Sequence, residues 1–208
     1  MIVKTGGELE ALSRTARTLA PRTVRGIVLP SLVFFTDPAR VPDPESVAER
    51  LPRHAAVVFR AFGAAHAVDQ GHRLRRIADR RGLLLLVGAD EDLAETIGAD
   101  GLHLPQRLGN TAPAIRARRS DWLLTQAAHD AEAVGTASAL GADALFVSPV
   151  FASNSPSAGT PLGVEGLRRW VGMTDTPIYA LGGIRAETVE QLEGTGIVGL
   201  AAVDALLS

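Results

Sequence analysis

The residues with chemistry to offer stand at the ends of short apolar runs. His129 follows the run 123–127, and a histidine titrating near neutrality can take up and return a proton without a metal. The same position also fits a helix N-terminal residue that faces solvent. Arg60 ends the run 56–59; a cation at a buried strand end needs an anionic partner, which we read as a ligand in preference to Asp37 or Asp90. Gly182-Gly183 follows the run 178–181, and paired glycines let the backbone approach a ligand closely. With the next helix start and the Ala202-Val203 stretch, they can offer N–H groups to a phosphate, or simply make a tight turn. Ser153 and Ser155 supply hydroxyls. His103 and Gln106 flank the end of the run 101–104, where they can contact a ligand, although His103 reads first as a core or loop-organising histidine. His54, His66 and His72 lie near or on helical stretches and read as surface residues. Trp122 and Trp170 read as packing residues.

Several chemistries are excluded at once. The chain has no cysteine, which removes disulfides, thiolate nucleophiles and sulfur-ligated metals. Its only lysine is Lys4, so a lysine in the middle of the fold is not on offer. A net charge of −2 provides no global field to recruit nucleic acid or an anionic membrane. The apolar runs are too short to cross a bilayer, and the first residues lack the pattern of a signal peptide. A cytoplasmic protein is expected, with no nucleic-acid or membrane partner and with homo-oligomerisation left open.

The elements that must position these residues follow from patterning. At 208 residues the chain is long enough for one well-buried core. Apolar runs at 32–36, 56–59, 83–87, 101–104, 123–127, 144–147, 178–181 and 198–202 predict strands buried on both faces. Amphipathic stretches at 44–51, 68–80, 112–118, 130–140, 164–171 and 186–192 predict helices between them. A weak repeat supports the alternation: Gly98-Ala99-Asp100-Gly101 is echoed by Gly141-Ala142-Asp143-Ala144 and loosely by Gly196-Ile197-Val198. In each, a glycine stops a helix in the left-handed conformation and a strand follows. The fold class is α/β, a (β/α)8 TIM barrel with an extra N-terminal helix over 7–19; an open doubly wound sheet is the alternative. Residues 1–30 form a helical extension and linker, extended or irregular over 20–30, and 31–208 the barrel.

The ordered motifs are specific. Leu32-Val33-Phe34-Phe35-Thr36-Asp37, Gly98 to Gln106, Gly141-Ala142-Asp143 with Ser148-Pro149-Val150-Phe151, Ala180-Leu181-Gly182-Gly183-Ile184 and the closing stretch 199–205 resemble the thiamine phosphate synthase/TenI family over about residues 31–206. The resemblance implies a barrel with its site at the C-terminal strand ends and a small phosphorylated thiazole or pyrimidine ligand. In the synthases, hydroxymethylpyrimidine diphosphate is joined to thiazole phosphate with Mg2+ to give thiamine phosphate. TenI-type members instead tautomerise the thiazole or have no assigned reaction.

The departures shape that expectation. The Gln-x-Arg-x-Lys element falls on Val58, Arg60 and Phe62, and the Asn-Asp pair on Gly88 and Ala89. The second metal-ligating aspartate falls on Leu108, and Mg2+ requires hard oxygen ligands that alanine and leucine lack. Asp90 stands one residue displaced. Thr-x-Thr-Lys becomes Ser153-Asn154-Ser155-Pro156, and the serine beside the phosphate becomes Asp204, which would repel a phosphate unless an arginine intervenes. No cofactor is therefore expected. Three functions stay open: a synthase-like transferase in thiamine biosynthesis, a metal-independent thiazole tautomerase using His129, and a barrel that binds a thiazole or thiamine phosphate without turnover.

Overall fold

A strand whose two faces are both apolar must be covered on both sides, and a closed ring of such strands wrapped in helices does this. The structure, a computed structural model, describes residues 7–153 and 159–207. Helix α1 (Gly7–Thr18) comes first, then a two-stranded hairpin of β1 (Thr23–Val24) and β2 (Ile27–Val28). The barrel strands are β3 (Leu32–Phe35), β4 (Ala56–Phe59), β5 (Leu84–Gly88), β6 (Gly101–Leu104), β7 (Leu123–Ala128), β8 (Ala144–Val147), β9 (Ile178–Leu181) and β10 (Gly199–Ala202). Between them run α2 (Pro44–Arg50), α3 (Ala67–Arg81), α4 (Glu91–Thr96), α5 (Ala112–Arg118), α6 (Ala131–Ala139) and α7 (Gly163–Val171). Each strand pairs in parallel with the next, and β10 closes on β3, with Leu200 opposite Leu32 and Ala202 opposite Phe34. The fold is the expected (β/α)8 barrel.

The alternation of side chains explains the runs. Phe34, Val57, Leu85, Leu102, Leu124 and Leu145 point outward and pack on the helices. Val33, Phe35, Val58, Leu86, Leu123 and Phe146 point to the barrel axis. Both sets are apolar, so neither face leaves a polar alternation in the sequence. The Gly-Ala-Asp repeat is structural. Gly98 and Gly141 take φ of 66° and 81°, and each aspartate accepts from a strand that begins earlier in the chain. Asp100 accepts from the Leu85 N–H at 2.7 Å and pairs with Arg75; Asp143 accepts from the Leu124 N–H at 2.8 Å and pairs with Arg116.

Two segments differ from expectation. Residues 20–30 are not an irregular linker: Arg25 and Gly26, at φ 53° and 81°, make the tight turn of the β1–β2 hairpin. Val24, Ile27 and Leu29 pack on the axial cluster, and Arg25 donates to the Ser120 carbonyl at 2.7 Å. The hairpin therefore closes the end of the barrel opposite the strand C-termini. The helix expected over 186–192 is only a 3-10 turn, Val189–Leu192. Thr188 Oγ1 donates to the Gly183 carbonyl at 2.9 Å and accepts from the Arg185 N–H at 3.1 Å, so its side chain competes with helical bonding. Helix α1 flanks the barrel over the seam of β3 and β10 by burying Leu12 and Ala16, and Glu8 accepts from the Ala186 N–H at 2.8 Å. None of the described helices is long and apolar enough to cross a membrane.

Candidate functional site

The strand C-termini open on a cavity of about 920 Å3. Its floor is aromatic: Phe35, His103 and Phe146 meet edge to face with centroids 5.0–5.2 Å apart. His103 Nδ1 lies 3.0 Å from Thr125 Oγ1, and its ring is buried in the axis of the barrel. Burial first, then the charges of Arg60 and His129, push its pKa down to about 3, so it is a neutral floor residue at working pH.

The wall formed by β3, β4 and β10 carries a chain of charges. Thr36 Oγ1 accepts from the Arg60 N–H at 2.9 Å, and the Thr36 carbonyl accepts from Arg60 Nε at 2.7 Å. The Arg60 guanidinium lies 3.5 Å from Asp37, which also accepts from Arg40 Nε at 3.1 Å. Arg40 reaches on to Asp204 at 3.1 Å. Burial tends to raise the Asp37 pKa, but the Arg40 bond and charge, the Ala39 N–H and the Arg60 charge together hold it below the usual carboxylate value. The ion pair with Asp37 that we ranked behind a ligand is thus present, while Arg60 still lines the cavity. Burial lowers the Arg60 pKa and Asp37 opposes it; guanidinium remains the only form at working pH.

His129 sits on the opposite wall, just past β7. Its Nδ1 lies 2.9 Å from the Ser148 carbonyl and 3.2 Å from Ser148 Oγ. A carbonyl can only accept, so Nδ1 carries the proton and Nε2 is the basic nitrogen of the neutral ring. The His129 N–H donates to Gln106 Oε1 at 2.8 Å, and Gln106 Nε2 donates to Asp130 Oδ2 at 3.0 Å. Asp130 caps α6 through the Ala133 N–H at 2.7 Å. Gln106 therefore does not line the cavity, as its place at a strand end had suggested. Its amide lies beside the start of α6, and it positions the backbone that carries His129.

The loop after β9 also has structural work. Gly182 and Gly183 take φ of 93° and 68°, and a Cβ on Gly182 would come within 2.9 Å of Pro149 Cα. The loop after β8 is stitched to it by Val150 N–H to Leu181 O and Phe151 N–H to Gly182 O, both at 3.0 Å. Gly182, Gly183, Ala202 and Val203 all line the mouth. The helix start expected after Gly183 is absent, and only the short turn Asp204–Leu206 follows β10. An anion here would lean on loop N–H groups and on Arg40 and Arg185, which line the same rim. Ser153 lines the cavity as well; Ser155 and Lys4 lie outside the described residues.

The Mg2+ donor set does not fit. Ala89 is held at φ 64° by its N–H bond to the His103 carbonyl, and its side chain is a methyl. Leu108 packs on the core and does not line the cavity. The displaced Asp90 is engaged as the N-cap of α4, accepting from the Leu93 N–H at 2.9 Å. Among the described residues no three His, Asp or Glu side chains stand together as a metal site.

Arg40, Phe62 and Arg185 are cavity residues that sequence reasoning did not select. Arg40 was within reach, since it follows Asp37 by one helical turn and so falls at the same strand end. Its link to Asp204, 164 positions away, leaves no local signal. Because Arg40 offsets the Asp204 charge, Asp204→Ser should free that guanidinium and tighten sulfate or phosphate binding by roughly two- to fivefold. Calorimetric titration checks this, and an unchanged affinity would show that Asp204 does not oppose an anion at this rim.

Comparisons with known proteins agree with the geometry. The family described as thiamine monophosphate synthase matches residues 32–206. A thiamine-phosphate synthase of Chloroflexus aurantiacus is 33% identical over 144 residues, 68% of this chain and 65% of that protein. One from Lactococcus lactis is 28% identical over 135 residues, 64% of this chain and 62% of that protein. This chain thus spans slightly under two thirds of the length of these relatives. The solved thiamine phosphate pyrophosphorylase of Pyrococcus furiosus superposes with a TM-score of 0.72 at 26% identity, covering 84% of this chain and 85% of that one. With a family match across nearly the whole barrel and the mouth built from the same ordered motifs, this chain belongs to the thiamine monophosphate synthase family.

Proposed function

We propose that this barrel acts in thiamine biosynthesis on a small phosphorylated thiazole, and that His129 moves a proton on that ligand without a metal ion. The observation that carries this reading is the contact of His129 Nδ1 with the Ser148 carbonyl at 2.9 Å. It leaves Nε2 as the basic nitrogen of a histidine that lines the cavity. In a tautomerisation, Nε2 takes a proton from one ring position, the electron pair enters the conjugated frame, and the imidazolium returns the proton at another position. Composition and oxidation state are unchanged, and neither a metal nor a second substrate is required. Arg60 stays charged and serves to hold an anion, not to shuttle protons. Gly183, Arg40 and Arg185 offer the phosphate end of the ligand a place on the rim.

A second reading has a specific support. The relatives are named as synthases, which favours condensation of a pyrimidine diphosphate with a thiazole phosphate. That reaction calls for the metal donors replaced here by Ala89 and Leu108.

Calorimetry with thiazole phosphate, pyrimidine diphosphate and thiamine phosphate, each with and without Mg2+, separates the readings. Thiazole phosphate should bind with an affinity that Mg2+ leaves within about twofold, because a soft or absent donor set gives the ion no purchase. Mg2+-dependent formation of thiamine phosphate from the two substrates would overturn the proposal in favour of the synthase. Binding with no proton movement would favour the non-catalytic barrel.

A further inference from the structure

Phe62 is out of place by the ordinary logic of a soluble surface. It stands at the cavity wall just beyond β4 with 72% of its surface exposed. Its φ of 48° lies in the left-handed region that a bulky side chain rarely adopts, and Gly63 follows at 77°. Strain of this kind persists only where the surroundings impose it. Here they do: the Arg60 guanidinium lies 5.3 Å from the Phe62 centroid and 5.4 Å from that of Phe35, so the cation is layered between two rings. Arg60 is itself held by the Thr36 carbonyl and Asp37. Its stem passes Gly88, where a Cβ would come within 2.9 Å of Arg60 Cγ, so a side chain there would displace the guanidinium. A buried, anchored arginine thus holds one exposed ring at the edge of a cavity floored by two more.

We propose that Phe62 is a stacking platform that holds a planar heteroaromatic ring in this cavity, and is a specificity-determining residue of the site. This rests on the functional reading above insofar as the ligand carries such a ring. An aromatic face favours an offset-stacked ring beyond what buried area alone supplies. The Arg60 charge behind Phe62 and the Arg40 and Arg185 side chains on the rim suit a ring that bears an anionic arm. A flexible aliphatic phosphate has no use for the platform.

The test is a calorimetric series with thiazole phosphate as the probe. Phe62→Leu keeps apolar bulk but loses the π face, and should weaken binding by roughly two- to tenfold. Phe62→Ala should weaken it at least as much, whereas Phe62→Tyr should stay within about twofold of the wild type. Met173→Ala removes a comparably exposed apolar side chain that does not line the cavity, and should leave affinity unchanged. Thermal unfolding without ligand verifies that the variants are folded. Wild-type affinity in Phe62→Leu or Phe62→Ala would overturn the platform while leaving the functional reading intact. Failure of the wild type to bind thiazole phosphate would overturn both.

Discussion

Replacing His129 with asparagine is expected to slow thiazole tautomerisation by roughly a hundred- to ten-thousand-fold, the usual cost of removing a general acid or base. Asparagine can still donate to the Ser148 carbonyl and can still take its backbone bond to Gln106, so the loop after β7 should keep its shape. What it cannot do is carry a proton. Ligand affinity should therefore change far less than rate, and the loss should appear in kcat rather than in KM. Single-turnover conversion followed by NMR on the wild type and His129→Asn measures this directly. Equal rates would dismiss His129 as the proton carrier. The other polar groups on the walls are poor substitutes: Arg60 does not deprotonate, and His103 is a buried neutral ring on the floor.

Most of the barrel is legible in the sequence for a simple reason. Strands buried on both faces leave uninterrupted apolar runs, and those at 32–36, 56–59 and 144–147 fall within a residue of β3, β4 and β8. The glycine of each Gly-Ala-Asp repeat is legible as a helix stop because no other residue adopts that conformation as cheaply. The aspartate of the same repeat is less so. It looks like a candidate ligand, yet it spends its carboxylate on a neighbouring strand's N–H and an arginine. Residues 186–192 look helical by periodicity, and a single Thr188 hydroxyl diverts the bonds. The β1–β2 turn hides because only one of its two left-handed residues is a glycine.

The site is legible in its composition and not in its pairing. His129, Arg60 and the Gly182-Gly183 turn do come to one mouth, as strand-end logic predicts. Which groups are already engaged depends on partners far away in sequence. Arg40 reaches Asp204, Gln106 turns from the cavity to His129, and the His129 tautomer is set by a backbone oxygen on the next strand. A side chain can be nominated by position, but its charge state and its freedom are properties of the neighbours that the fold supplies.

His103 offers the sharpest test of that point, through pH. Its ordinary pKa of 6.5 is pushed to about 3 by burial, with Arg60 and His129 adding repulsion. Between those values the unfolded chain binds a proton that the folded chain refuses. The unfolded state then holds more protons, so unfolding free energy rises with pH across this window. The stabilisation is complete above pH 6.5 and is lost on acidification at about 1.4 kcal/mol per pH unit. At pH 5 the protein should be less stable than at pH 7 by about 2 kcal/mol on account of this residue alone. For a chain of this length that lowers Tm by roughly 4–8 °C. His103→Gln retains a hydrogen-bonding group near Thr125 but cannot titrate, so it should be less stable at pH 7 yet lose much less between pH 7 and pH 5. Urea unfolding of both proteins at the two pH values gives the comparison, and the difference of differences isolates the histidine from the carboxylates that titrate lower. If the wild type loses no more stability than His103→Gln over that interval, the floor of the cavity is not the dry, ring-lined environment that holds His103 neutral.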